Sequence, residues 1–200
     1  MTEETPLSKG ERTRQAILEA AHGLFIEQGY HATSMRQVAD RAGLALGGIY
    51  NHFAGKDEIF QELIAIKHPF VKILPVLLAV PGDDIDSFVR NAARAMIDEL
   101  GHRPDFIKLM FIELVEFNGQ HIPSLFQHIF PQIIPVVERF ITSGSHLRPI
   151  PLPLLARAFM GMFFSFYMTE FLMGDLMPPE MRDNALEGFV DIFLHGIVQP

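Results

Sequence analysis

Two adjacent glycines, Gly47 and Gly48, precede a cluster of hydrogen-bonding side chains, Tyr50, Asn51, His52 and Lys56, in the stretch "GLALGGIYNHFAGKDEIF" at residues 43–60. Inside a helix each glycine costs about 1 kcal/mol relative to alanine. A helix face without side chains at 47 and 48 lets its backbone approach bases, phosphates or a neighbouring helix more closely than any Cβ permits, and such closeness would offset the lost propensity. This is chemistry of recognition rather than of bond cleavage. The absence of cysteine excludes a disulfide framework, thiolate metal sites and a cysteine nucleophile. No GxSxG element is present, and Ser165 in "GMFFSFYMTEFLMGD" has no indicated activating base. His102, His121 and His128 form no HxH or HxxxH pair, so no catalytic residue, metal or cofactor is expected.

The elements that must position the glycines are helical. Apolar residues recur at helical spacing from end to end, without sustained two-residue alternation, which reads as an all-α chain of about nine helices. In the first, Ala16, Ile17, Ala20, Ala21, Leu24 and Phe25 form an apolar stripe closed by Gly29. "TSMRQVADRAG" predicts a two-turn helix with Ser34 and Gln37 at capping-box spacing and Gly43 as its stop. Ile49, Tyr50 and Phe53 then predict a third short helix over 46–53, and "GKDEIFQELIAIKH" a fourth, ending near His68-Pro69. Beyond it, segments near 70–80, 84–102, 105–118, 123–143, 153–174 and 178–198 read as further amphipathic helices. A two-turn helix, a tight turn at Gly43-Leu44 and a second short helix make the helix-turn-helix arrangement, whose second helix lies in the DNA major groove.

Charge sharpens the division. Residues 1–56 hold six Lys/Arg and six acids, whereas residues 57–200 hold ten and eighteen, so the net charge of −8 belongs to the second part. That part is a poor polyanion binder, and the first is less basic than a typical nucleic-acid-binding domain. The polar, acid-bearing N-terminus lacks a secretory core, which points to a cytoplasmic protein. The most apolar region, "LARAFMGMFFSFYMTEFLMGD", is bounded by Arg157, Glu170 and Asp175, and predicts a buried helix rather than a membrane span.

The run "GERTRQAILEAAHGLFIEQGYHATSMRQVADRAGLALGGIYNHFAGKDEIF" resembles the DNA-binding domain of the TetR family of one-component bacterial repressors, over about a quarter of the chain. Its matching features are "AILEAA..LF...GY..TS", "VA..AG" and "G.IY.HF..K.E". The resemblance implies a helix-turn-helix domain over residues 9–69 and a helical effector-binding and dimerisation domain over 70–200. It implies a repressor that reads a palindromic operator in double-stranded DNA as a homodimer and is released when a hydrophobic small molecule binds. By the same resemblance Tyr50, His52 and Lys56 contact phosphates, and Thr33 and Ser34 offer hydroxyls or a helix N-terminus. Arg36, Leu46, Gly47, Gly48 and Asn51 stand nearest the base edges. Ala45 and Gly48 depart from the family pattern, which favours a capping serine and a small hydroxyl residue there. Leu46 can touch a thymine methyl but cannot hydrogen-bond a base.

Most of the 18 phenylalanines and 10 methionines fall after residue 59, a composition that suits both a core and an adaptable apolar pocket. With the resemblance, the expected effector site lies among the middle helices, lined by Phe106, Met110, Glu113, Phe117 and Phe126. The last two long segments carry wide apolar faces, and pairing with a second copy through Phe159, Phe163, Phe166, Phe189 and Phe193 would make a four-helix interface. The competing expectation is an apolar-ligand-binding helical protein that has lost specific DNA binding, suggested by the weak charge of residues 1–56 and by Leu46-Gly47-Gly48.

Overall fold

The computed structural model describes residues 7–68, 70–142 and 147–198, apart from the side chains of Phe70, His128 and Asp175. The regular structure among the described residues is helical: eleven α-helices and a short 3-10 turn. Two compact units divide them. The first comprises Met1–His68 with Asp105–Phe126, the second Pro69–Pro104 with Gln127–Pro200.

In the first unit α1 (Lys9–Gln28) opens on a reciprocal capping box between Ser8 and Glu11 and closes at Gly29, whose φ of 85° suits glycine. Its buried face is Ile17, Leu18, Ala20, Ala21, Leu24 and Phe25. Leu18 thus replaces the exposed Ala16 of the expected stripe. Helix α2 (Met35–Arg41) begins with the Ser34–Gln37 capping box that the spacing predicts. Helix α3 is shorter than expected: Leu46–Ile49, followed by a turn through His52. Ala45 supplies no side-chain cap, and two glycines in four residues leave little propensity to propagate the helix. Helix α4 (Lys56–Lys67) buries Ile59, Phe60, Leu63 and Ile64. Most of α7 (Pro104–Glu116) and the first residues of α8 (Ile122–Thr142) complete this unit.

The second unit contains α5 (Phe70–Ala79), α6 (Ile85–Gly101), the remainder of α8, α9 (Leu152–Met173), α10 (Pro179–Arg182) and α11 (Ala185–Ile197). The expected single helix over 178–198 is two, broken at Asp183 and at Asn184, which adopts a left-handed φ of 56°. Helices α9 and α11 interlock through rings: Phe193 meets Phe159 at 5.5 Å and Phe163 at 6.3 Å between centroids, and Phe166 meets Phe189 at 5.2 Å. Arg90 of α6 ties the same α11 by bonding Glu187 and Asp191. Arg139 of α8 donates to the carbonyls of Leu77, Leu78 and Val80 and lies over the Phe88 ring, so it caps the end of α5.

Candidate nucleic-acid interface

The apolar core of the first unit fixes the helix-turn-helix. Ile49 and Phe53, at 0% and 1% exposure, anchor α3 and its following turn in that core, with α3 packed on α2. Arg14 of α1 adds a polar anchor. Its guanidinium lies 4.1 Å over the Phe53 ring, bonds Glu62 of α4, and donates at 2.7 Å to the carbonyl of His52. The turn after α3 is therefore held by a cation from α1.

On this support Gly47 and Gly48 are bare. A Cβ built at either position meets no heavy atom within 4 Å, and neither residue has a positive φ. Neither internal packing nor backbone conformation within the chain requires glycine there. Of the explanations open from sequence, close approach to a neighbouring helix of the same chain is thus removed, and approach to an outside partner is left. Around the glycines, Tyr50 is 52% exposed, Asn51, Arg36 and Ser34 are exposed, and Leu46 and His52 are half-exposed.

Two expected phosphate ligands are placed differently. Thr33 is only 2% exposed and its hydroxyl donates to the carbonyl of Gly29, so it stabilises the turn between α1 and α2. The ammonium of Lys56 donates at 2.5 Å to each of the carbonyls of Tyr30 and Thr33 and lies 4.0 Å from the centre of the Tyr30 ring. Burial pushes its pKa below the ordinary lysine value. Both residues are turned inward because the α1–α2 turn would otherwise leave polar groups unpaired.

The profile of bacterial regulatory proteins of the tetR family matches residues 17–63. The chain is 45% identical over 51 residues to the transcriptional repressor KstR2 of Mycobacterium tuberculosis, a stretch that covers 26% of each protein. It is 38% identical over 135 residues to the uncharacterised helix-turn-helix transcriptional regulator TtgW of Pseudomonas putida, covering 67% of this chain and 92% of TtgW. The chain belongs to the TetR family of bacterial regulatory proteins. The fold is shared over nearly the whole length with the structure of SmeT in complex with triclosan, which superposes with a TM-score of 0.68 at 22% identity, covering 94% of this chain and 92% of that one.

As a TetR-family regulator the chain carries its helix-turn-helix where the sequence places it, but the residues expected beyond that domain are distributed differently. Glu113 is fully buried in the first unit. Its carboxylate accepts the backbone N–H of His121 and pairs with His121 Nδ1, each at 2.7 Å. Phe117 stacks on Phe60 at 4.6 Å and meets Tyr30 edge-on at 4.5 Å. Phe106 is buried against the His68 ring, Met110 is half-buried, and Phe126 is 54% exposed. Glu113, Phe117 and Phe106 thus serve the packing of the first unit. Of the five phenylalanines expected at a dimer surface, Phe163, Phe166 and Phe193 are buried within a single chain by the α9–α11 interlock. The exposed apolar residues of these helices are instead Leu154, Phe164, Phe171, Leu172, Met173 and Ile192.

Helix α9 also departs from its expected burial. It is long and apolar enough to cross a membrane, yet only 22% of its most apolar window is buried within the chain. No group of three or more His, Asp or Glu suited to a metal occurs among the described residues, and the side chain of His128 lies outside them. The Arg14–Glu62 pair and the carboxylate of Glu116, which reaches Tyr30 and His31, were not singled out in sequence. Their partners lie 48 and 86 residues away along the chain, where no local pattern links them.

Proposed function

We propose that this chain is a dimeric repressor whose α3 enters the major groove of a palindromic operator and which leaves DNA when a hydrophobic small molecule binds its helical second part. The reading rests above all on the bare Gly47–Gly48 face, which nothing within the chain explains and which a close-fitting duplex does. Tyr50 and His52 reach phosphates beside it, Asn51 and Arg36 read base edges, Leu46 meets an apolar edge such as a thymine methyl, and Ser34 directs the N-terminus of α2 to the backbone. The KstR2 name supports repression, since that repressor shares 45% identity with this chain over 51 residues. The triclosan complex of SmeT supports an apolar effector.

A second copy fits the exposed face of α9 and α11. Leu154, Phe164, Leu172 and Ile192 would be covered by the same residues of the partner, in an isologous contact that sets two recognition helices about 34–36 Å apart. The alternative reading, an apolar-ligand-binding protein without specific DNA binding, draws on Arg14 and Lys56, which are spent on internal partners. Titration of the purified protein against its own upstream DNA separates the two. The repressor binds with a steep loss of affinity as salt rises and is released by an apolar ligand. Absence of any salt-dependent binding, with and without cell extract, would leave the alternative.

A further inference from the structure

Helix α7 ends on two acids, Glu113 and Glu116, with no basic residue in its last turn. The carboxyl end of a helix is its negative pole, so both charges stand where the helix dipole disfavours them. Each is satisfied by N–H groups from elsewhere. Glu113 takes its two bonds from His121, which folds the following turn back on the helix. Gly119, at a φ of 77°, donates to the carbonyl of Glu113 and completes that cap. Glu116 accepts the backbone N–H groups of Tyr30 at 3.2 Å and His31 at 2.9 Å, with the His31 ring 3.5 Å away. These amides belong to the turn between α1 and α2.

Lys56 is the mirror case. It is the first residue of α4, at the positive pole of that helix, another position the dipole disfavours. Its ammonium donates to the carbonyls of Tyr30 and Thr33 in that same turn. One side of the turn therefore presents amides to a carboxylate and the other presents carbonyls to an ammonium. The next residue after Thr33 is Ser34, the cap of α2, and the proposed function directs the start of that helix to the duplex.

We infer that Glu116 and Lys56 are positioning residues for DNA recognition, a two-sided clamp that sets the α1–α2 turn and with it the start of α2. This rests on the repressor reading, and it removes Lys56 from the set of phosphate ligands. It also makes the last turn of α7 part of the DNA-reading apparatus. An aromatic cluster supports the arrangement: Phe117, next to Glu116, packs against both Tyr30 and Phe60, which also meet each other.

Three measurements on the full-length protein test the clamp. Glu116→Gln keeps the shape but turns an NH2 group toward one of the two amides. Backbone hydrogen exchange at Tyr30 and His31 then accelerates by roughly tenfold while exchange in the core of α1 is unchanged. Operator affinity of Glu116→Gln falls by roughly tenfold, although the variant is less negative and simple electrostatics predicts tighter binding. Lys56→Met lowers affinity without changing the slope of log affinity against log salt, whereas loss of a phosphate ligand takes about one unit from that slope. Unchanged exchange at Tyr30 and His31, undiminished affinity of Glu116→Gln, or a slope reduced by Lys56→Met each overturns the clamp. If the wild-type protein binds no DNA, the repressor reading fails, and the exchange measurement still decides whether the clamp exists.

Discussion

The two compact units differ in what they bury. All four of the buried polar or charged residues among the described ones, Thr33, His68, Glu113 and His121, lie in the first unit, and the buried core of the second is apolar apart from the hydroxyl of Tyr167. An interior polar group is costly unless paired, and pairing demands one geometry, so the first unit gains a single arrangement of its helices at the expense of tolerance. The second unit interlocks Phe163, Phe166 and Phe193 and leaves Phe164, Leu172 and Ile192 outside. Apolar packing is non-directional and accommodates rearrangement more readily. The proposed roles match this contrast: a part proposed to read DNA gains from the first kind of interior, and a part proposed to admit an apolar ligand from the second.

Disrupting the interlock is the most costly way to break this contrast. Phe163→Ala is expected to lower stability by about 3–5 kcal/mol, the usual loss for a buried phenylalanine, measured by urea unfolding. Its neighbour Phe164 is 45% exposed, and Phe164→Glu leaves the fold of the chain nearly unchanged. The same variant shifts the proposed dimer toward monomer in sedimentation at micromolar concentration. A monomeric wild type would remove the reason for the exposed α9 face.

The polar interior of the first unit predicts a sensitivity to acid. Burial holds the His68 pKa well below its ordinary 6.5, at about 4, against the ring of Phe106. A base whose folded pKa is depressed contributes stability that is complete above the unfolded value and is lost as pH falls from 6.5 toward 4. The full loss approaches about 3 kcal/mol, the free energy of carrying the proton between these two values. His22 shifts in the same direction, mainly through burial, and adds to it. Unfolding midpoints followed across this window should fall for the wild type and fall less for His68→Leu; equal slopes would show that His68 is not the group that titrates.

The contrast can next be tested at the surface. Gly47→Glu places a carboxylate on the bare face, where it meets nothing in the free chain. Operator affinity is expected to fall by at least about 100-fold, within the usual margin between specific and non-specific binding, while the melting temperature does not fall, since the side chain meets open space and gains helix propensity over glycine. Retained affinity would move the DNA contact away from α3.

Periodicity and capping made the helices legible in sequence. Ser34 and Gln37 announced α2, and Gly29 and Gly43 its surroundings, because these signals act within a few residues. The length of α3 was not legible, since Ile49, Tyr50 and Phe53 keep helical spacing across a turn that the chain closes after Ile49. In the site, Tyr50, Asn51 and Arg36, which the family resemblance singled out, are exposed. The roles of Arg14, Lys56 and Glu116 were hidden, because a charged residue looks the same in sequence whether it faces solvent or a carbonyl from another helix. The apolar second part was the least legible: Phe163 and Phe164 are identical in type and adjacent, and only the rotation of α9 decides which one is buried.

The smallest effect is the most discriminating. Gly48 has a backbone that alanine adopts without strain and open space where a methyl group would go. Gly48→Ala should therefore raise stability by about 0.5–1 kcal/mol, through helix propensity and a less flexible unfolded chain. The same methyl group should lower operator affinity several-fold if the backbone at 48 lies against the duplex, since a close-packed contact yields little to an added carbon. Stability and affinity then move in opposite directions, a result that general damage to the fold cannot produce. If both rise, or affinity stays unchanged, the glycine face is not the surface that meets DNA.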